Sequence, residues 1–574
     1  MQKLRPIKNE QKRKKFGVTD IETMNWTKFL VIGLYDGQIF THYKSIKEFL
    51  LVVERTDLDI IFAHFGGKFD FLFLLRELVK RSDIKIKSLI PRGSSILSID
   101  IEFESGKSIR FSDSAALLPF SLATITQFFD VENKKQDWDH TKTKGVTPEL
   151  IEYLKYDCIG LYQSLQKFYE WPLIQQAGQA ETIAGQAMRV FRTTLKEEIM
   201  PHGKGAQNFA RKSYLGGRTE IFRPLYEGSQ LFCYDVNSLY PHAMLNEMPM
   251  GQAHWVYKFD ETKLGIYHAN VSVPKMHIPP LGIVREGKFI FPTGIFSGYW
   301  TSAELKYARE LGVKFEIIEG LTYERSEKIF ETYIAALYDI RKKSKPGSVA
   351  NIAAKLLLNS LYGRFGMDPK KENIIFEPRT GSKSFTDIKI GRHTFGLWKM
   401  PVELESFYQV AIASFVTSYA RIHMHRIYLD LGQDLFYTDT DSVYTTRELP
   451  TSDELGGLKL EATHGPTCFL LPKTYIATGK IPKIAMKGFD KKKIRHFTFD
   501  DFKNYLEGDL KMLSIELEPR FATLKTALKQ KKFVTMTKAT NKTLKSKYSK
   551  RTIFRTELNT LSSIPLELNE GKEK

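Results

Sequence analysis

Three short segments carry side chains whose types and spacing suit chemistry at phosphorus: Asp235-Val-Asn-Ser-Leu-Tyr-Pro241, Lys355-Leu-Leu-Leu-Asn-Ser-Leu-Tyr-Gly363 and Tyr437-Thr-Asp-Thr-Asp-Ser442. In-line displacement at a phosphorus is helped by two divalent ions, one on the attacking oxygen and one on the leaving group. Mg²⁺ is a hard cation held by one or two carboxylates together with substrate phosphates. Asp235, Asp439 and Asp441 supply such carboxylates in two separated places. A lysine-bearing segment between them supplies a cation for a triphosphate. That set matches the needs of nucleotidyl transfer, although each aspartate alone reads equally well as a turn residue.

The elements that must position them follow from local pattern. Leu231-Phe-Cys-Tyr234 is an apolar run that reads as a buried strand ending at Asp235. Leu435-Phe-Tyr437 and Val443 to Thr445 read as two strands around a tight turn, with Asp439 and Asp441 on one side of it. Pairing these strands would bring three carboxylates to one end of a sheet. Ala353, Ala354, Lys355 and three leucines are strong helix formers. Lys355, Asn359 and Tyr362 then share one helix face. The lysine can hold a triphosphate as a point charge, Tyr362 can lie against a base pair, and Gly363 lets a backbone or base come close.

The front of the chain carries a second carboxylate set. Asp20 and Glu22, two apart in a strand, share a face. Ala63-His-Phe-Gly-Gly-Lys-Phe-Asp70 reads as strand, glycine turn and helix start, with Asp70 pointing back to the strand ends. Tyr153 and Asp157 lie one turn apart on a helix. Four carboxylates and a tyrosine could hold two metals and orient an attacking water.

Together these residues resemble the motifs of family B DNA polymerases, most closely the small protein-primed members of phages and linear plasmids. The resemblance implies an α/β and α+β multidomain fold: an RNase H-like exonuclease followed by a right hand of palm, fingers and thumb. It implies that Asp235 and Asp441 are the main metal ligands, with Val236 beside them and Asp439 assisting. Tyr240 would exclude a ribose 2′-hydroxyl. Lys355 would contact the triphosphate, with Lys343 a weaker candidate that competes with Arg341, and Asn359 and Tyr362 would complete the nucleotide site. Asp20, Glu22, Asp70 and Asp157 would hold the exonuclease metals, and Tyr153 would position the water. The implied cofactors are Mg²⁺ or Mn²⁺, two ions in each site.

Further matches place DNA contacts. Tyr214-Leu-Gly216-Gly217 resembles the loop that joins exonuclease to polymerase and touches template. Thr417-Ser-Tyr-Ala-Arg421 and Lys473-Thr-Tyr475 resemble motifs near the primer or template. Ser114, Phe65, Phe69 and Lys135 fall at strand-binding or catalytic-lysine positions of the exonuclease. Phe65 departs from the family, which usually has asparagine there; the ring keeps a stacking surface but loses a polar contact. Ala115 also stands where leucine is usual.

Composition agrees. A chain of 574 residues exceeds one hydrophobic core. A net charge of +19 suits a polyanionic partner. Between Phe521 and Arg551 there are ten Lys or Arg and no Asp or Glu, read as a phosphate-tracking face or a basic tail. Three widely spaced cysteines form no zinc pattern and suggest a reducing compartment. No apolar run is long enough to span a membrane, and no signal-peptide core is seen.

The sequence divides into an exonuclease at 1–175, a first palm part at 176–249, and a strand-rich insertion at 250–323 expected to contact a terminal protein. Fingers at 324–366 follow, then a second insertion at 367–402 for strand displacement or processivity. The second palm part is 403–494, and a thumb with a basic C-terminal tail spans 495–574. The expected partners are DNA primer-template, dNTPs, a terminal protein primer and a single-strand-binding protein, with no membrane and a monomeric state. The expected location is cytoplasm, the host's for a virus or an organelle for a linear plasmid. The rival readings are a family B polymerase using ordinary nucleic-acid primers and a non-catalytic DNA-binding relic.

Overall fold

The computed structural model describes residues 3–9, 13–345, 347–378, 386–390, 393–403, 407–530 and 532–569. The N-terminal domain is built on a seven-stranded mixed sheet. Strands Phe16–Met24, Lys28–Tyr35 and Phe40–Tyr43 form an antiparallel meander, and Ile60–Ala63 pairs in parallel with the first of them. Ser108–Asp113 adds in parallel to Ile60–Ala63, and Ser95–Phe103 and Ile84–Arg92 complete the far edge. This is the RNase H-like arrangement that the family resemblance implies. The central strand Ile60–Ala63 is wholly apolar because helices cover both faces, while its neighbours Phe16–Met24 and Ser108–Asp113 carry polar residues. Helix Asp70–Leu78 covers one face and helix Pro148–Tyr169 the other. Thr147 caps the longer helix and Pro148 starts it, a start that costs no hydrogen bond.

The next domain rests on a five-stranded sheet in the order Leu458–His464, Leu231–Val236, Ser442–Thr445, Leu435–Asp439 and Thr219–Ile221. Helix Val410–Leu431, buried along most of its first half, lies beneath it. Helices Glu331–Lys343 and Val349–Phe365 pack on each other at its side. One continuous apolar core runs from the N-terminal domain's long helix through these helices.

The block expected at 250–323 is a sheet of strands Met248–Val256, Lys314–Glu327, Gly265–Val273 and Thr293–Thr301, and it includes helix Ser302–Glu310. Its last strand in the chain, Lys314–Glu327, runs past the boundary at 324, and the first helix of the expected fingers begins at Glu331. A fifth strand, Glu567–Asn569, joins in parallel from the other end of the chain. The second insertion is a three-stranded antiparallel sheet of Lys370–Pro378, His393–Glu403 and Thr386–Ile390. Parts of it lie outside the described residues, and its first strand runs beside Ile84–Arg92 of the N-terminal domain.

The basic run at 521–551 is not a tail. Ala522, Leu524, Ala527 and Phe533 are buried, and Leu524 and Phe533 join the N-terminal domain's core. The backbone N–H of Leu524 donates to Ser94 O at 3.1 Å. Lysines interleaved with Ala, Leu and Phe leave an apolar face that charge counting overlooks.

Candidate active sites

Asp235, one residue before the end of its strand, lies opposite Ser442, and Asp439 pairs with Ser442 across the hairpin. The N–H of Val236 donates to Asp441 O at 2.8 Å, so the two motifs are joined through their backbones. Thr440, at the tip, has φ +67°, a left-handed turn conformation. Gly217 packs against that tip: a Cβ there would lie 2.7 Å from Thr440 Cγ2. The second glycine of the pair is thus needed to seat one loop on the acidic turn, while Gly216 stays open.

Burial, reinforced by the Asp441 and Glu461 charges and opposed by Lys355 and Lys483, pushes the Asp235 carboxyl up to about 7. Burial and then the Asp439 charge raise Asp441. Lys473 Nζ donates to Asp439 Oδ1 at 2.5 Å, neutralising the third carboxylate. Lys355 and Asn359 are exposed on one helix face, and Tyr362 stacks on Tyr240 with ring centroids 4.3 Å apart. Two aromatic rings therefore wall the space beside the carboxylates.

Some expected contacts fall elsewhere. Lys343 is exposed and ion-paired with Asp339 at 2.8 Å, whereas Arg341 Nη1 reaches Ser238 Oγ at 2.6 Å. The competing arginine holds the acidic motif, and the lysine does not reach it. Thr417 and Arg421 are buried and cannot present their side chains to DNA. Arg421 Nη1 donates to the carbonyls of Leu215 (2.5 Å) and Gly216 (3.0 Å), and its Nε donates to Glu304 at 2.9 Å. It braces the glycine loop from behind. Tyr475 is also buried and takes a hydrogen bond from Tyr444 at 3.1 Å. Tyr214 is wedged against Gly366, where no side chain would fit. Sequence spacing missed Lys483 and Glu461, which influence Asp235 from strands with no motif of their own.

In the N-terminal domain, carboxylate oxygens of Asp20, Glu22 and Asp157 lie within 4.8 Å of one another. Asp157 Oδ1 is buried without a hydrogen-bond partner, an orphan acceptor that a cation would satisfy. An all-oxygen donor set of this charge fits Mg²⁺ or Mn²⁺. Asp70 is outside that mutual set; its Oδ1 accepts from the Ile21 N–H at 3.0 Å. Burial, then the charges of Asp70, Glu22 and Asp157, raise Asp20 well above the usual carboxylate range. Burial carries Asp70 up to about 7.

Lys135 donates to both the Tyr153 hydroxyl and Asp157. One ammonium therefore fixes the tyrosine and the carboxylate together. His140, not flagged by spacing, lies 3.6 Å from Glu22. Ser114 is fully buried and engaged with His64 at 2.9 Å, so it is a support for the site and not a strand contact. Phe65 and Trp26 are exposed, and Phe69 packs between Trp26 and Phe521. Trp26 and Phe521 belong to none of the sequence motifs.

Phe65 adopts φ +56° and ψ +18°. Asparagine tolerates this left-handed region far better than a bulky ring. Phe65→Asn should therefore stabilise the fold by about 1 kcal/mol, seen as a raised denaturant midpoint at constant slope. A lowered midpoint would show that ring contacts outweigh backbone strain.

The raised carboxyls also set a pH dependence. Asp70 and Asp235 bind their protons more tightly folded than unfolded, so their contribution is full below the unfolded value of 3.8 and is lost as pH rises toward about 7. Metal-free protein should melt at progressively lower temperature across that window, and millimolar Mg²⁺ should restore the midpoint at neutral pH. A flat profile in chelator would contradict this.

Comparison with known proteins agrees with the architecture. The profile of "DNA polymerase type B, organellar and viral" matches residues 52–147 and 138–427. A probable DNA polymerase of Neurospora intermedia is 28% identical over 79% of this chain and 53% of its own length. The DNA-directed DNA polymerase of Enterobacteria phage PRD1 is 28% identical over 79% of this chain and 81% of its own. The chain spans about half the length of the fungal relatives it matches. The phi29 DNA polymerase ternary complex with primer-template DNA and incoming nucleotide has the same fold, with TM-score 0.76 at 20% identity, covering 93% of this chain and all of that one. Matched over most of its length by that profile, with the multidomain fold to go with it, the chain belongs to the organellar and viral type B DNA polymerases.

Proposed function

We propose that this protein is a DNA-directed DNA polymerase with a 3′–5′ proofreading exonuclease, and that it starts synthesis on a terminal protein. One observation carries the reading. Two carboxylate centres sit on two different sheets, and among the described residues only the one at Asp235 has Lys355 close enough to act on it by charge and a pair of stacked tyrosines beside it. A relative named DNA-directed DNA polymerase supports it.

Asp235 and Asp441, with Val236, would hold two Mg²⁺ in the polymerase site; Asp20, Glu22, Asp70 and Asp157 would hold two in the exonuclease. Bound there, the ions would polarise the phosphoryl oxygens and lower the pKa of the attacking hydroxyl or water. Lys355 holds the triphosphate by charge. Lys473 keeps Asp439 in place and presents a cation near the primer end. In the exonuclease, Lys135 orients Tyr153 toward the attacking water while holding Asp157 as an acceptor.

Tyr240 fills the volume that a ribose 2′-hydroxyl would need, and Tyr362 fixes its ring by stacking. Tyr240→Val should admit ribonucleotides, raising their relative incorporation by about 10²-fold or more, since steric exclusion discriminates more sharply than the roughly 10–200-fold given by one methylene in an apolar pocket. Extension assays with single ribonucleotides measure it. Unchanged discrimination would move the gate elsewhere.

The two insertions, near 250–323 and 367–402, carry none of the proposed metal ligands, so their work is binding. The first would dock the terminal protein; the second would enclose template and open duplex ahead. The decisive test supplies Mg²⁺ and labelled dNTP together with the proteins encoded beside this gene. A nucleotide–protein adduct supports protein priming. Efficient extension of DNA primers with no adduct favours the ordinary-primer reading. No synthesis with either primer by correctly folded protein would leave the relic reading.

A further inference from the structure

Outside both carboxylate centres lies a cluster of cations, with Arg189, Arg192 and Arg364 half-buried and Lys3 and Arg5 exposed at its rim. A cavity of about 660 Å³ is lined by Lys3, Arg5, Arg189, Arg192 and Arg364, with Leu4, Met188 and Phe407 supplying apolar wall. Among the described residues, no carboxylate lines it. Arg189 Nε donates to the carbonyls of Ala177 and Gly178, and Arg192 Nε donates to Arg5 O at 2.7 Å. These bonds hold the guanidinium groups in place but do not neutralise them. Among the described residues, none of Arg189, Arg192 and Arg364 forms an ion pair, while Lys3 and Arg5 share only Glu198.

Backbone hydrogen bonds hold one wall of the cavity in place. Leu4 and Ile199 exchange backbone hydrogen bonds of 3.0 Å, and the Ile7 N–H donates to Arg192 O at 2.9 Å. Leu4 and Ile7 are buried. The segment before the first strand is thus strapped onto helix Ile183–Thr194 and forms one wall. The opposite wall is the end of helix Val349–Phe365, which carries Lys355 and Tyr362 further along. Burial lowers the proton affinity of Arg189, Arg192 and Arg364, the mark of charge withdrawn from water without compensation. Partly buried charges are ordinarily paired, and arginine forks match phosphate oxygens bidentately.

We propose that this cavity is a phosphate-binding site, taking a diphosphate-sized anion between Arg189, Arg192 and Arg364. The phosphate can come from a free nucleotide or from the backbone of a single strand. The apolar wall of Leu4, Met188 and Phe407 would accept the attached sugar or base in either case. The site stands whether or not the catalytic reading above is right.

Binding to the full chain tests it, in chelator and on a Lys355→Ala background so that the triphosphate contact does not contribute. The probes are inorganic pyrophosphate, by calorimetry, and a short oligothymidylate, by fluorescence anisotropy over a salt series. The variants are Arg192→Gln with Arg364→Gln, and separately Met188→Trp, which fills the cavity without removing charge. The proposal expects both to weaken binding, the arginine pair by about tenfold or more. For the oligonucleotide the arginine pair should also make the salt dependence shallower, by about 0.7 for each phosphate that is no longer neutralised. Weaker binding of both probes identifies a free-phosphate site; weaker binding of the oligonucleotide alone identifies a strand contact. If the glutamine pair melts early, Met188→Trp decides. Parental affinity for both probes in the folded variants overturns the site.

Discussion

Replacing Asp441 or Asp235 with alanine is expected to abolish templated DNA synthesis while leaving metal-dependent trimming of single strands near the parental rate. The two motifs are tied through the hydrogen bond from Val236 N–H to Asp441 O, and the Asp441 charge raises the proton affinity of Asp235. Removing one preorganised electrostatic group from an active site typically costs about 10²–10³ in rate. A metal-ligating carboxylate should cost at least on the order of 10³. The N-terminal domain's carboxylates belong to a different sheet, so trimming should persist. Primer extension and single-strand digestion on one preparation measure both. Equal loss of the two activities by folded protein would mean that they share one centre.

The second large effect is expected at the other centre. Asp20→Ala with Glu22→Ala should remove trimming by a similar factor, raise misincorporation, and leave extension intact. The same variant should melt higher than the parent in chelator. Asp20 is buried among Asp70, Glu22 and Asp157, and without a cation these charges repel one another. Removing two of them relieves the repulsion at neutral pH, so lost function and gained stability should appear together. A lower melting temperature in chelator would show that packing by the two side chains outweighs their repulsion, and trimming that survives would sink the assignment. Phe65→Asn offers a gentler probe of the same site: trimming should rise if the missing amide contacts the strand.

Much of the chemistry was legible in the chain itself. Carboxylates at the ends of apolar runs are fixed by local rules. A strand alternates faces, so Asp20 and Glu22 point one way, and a tight turn after Leu435-Phe-Tyr437 presents its aspartates at the sheet end. Lys355, Asn359 and Tyr362 share a helix face because of the helical repeat. The order of these segments carried the multidomain fold, since each motif keeps its place between the same elements.

What the tertiary structure decided is which charges meet and which are spent. Arg421 and Lys343 are both cations beside motifs, yet Arg421 is buried bracing the glycine loop and Lys343 is turned to solvent with Asp339. Sequence distance cannot separate them, because the partners Glu304 and Leu215 come from elements more than a hundred residues away. The run at 521–551 read as charge alone, but Leu524 and Phe533 bury themselves in the N-terminal domain and Phe521 abuts Phe69. The arginine-lined cavity arises the same way, from the chain's first residues, a helix near 190 and the end of another near 364. Periodicity reports which face of an element is apolar. It does not report what that face meets, since that depends on long-range burial, where each charge settles according to the nearest partner that offsets its desolvation.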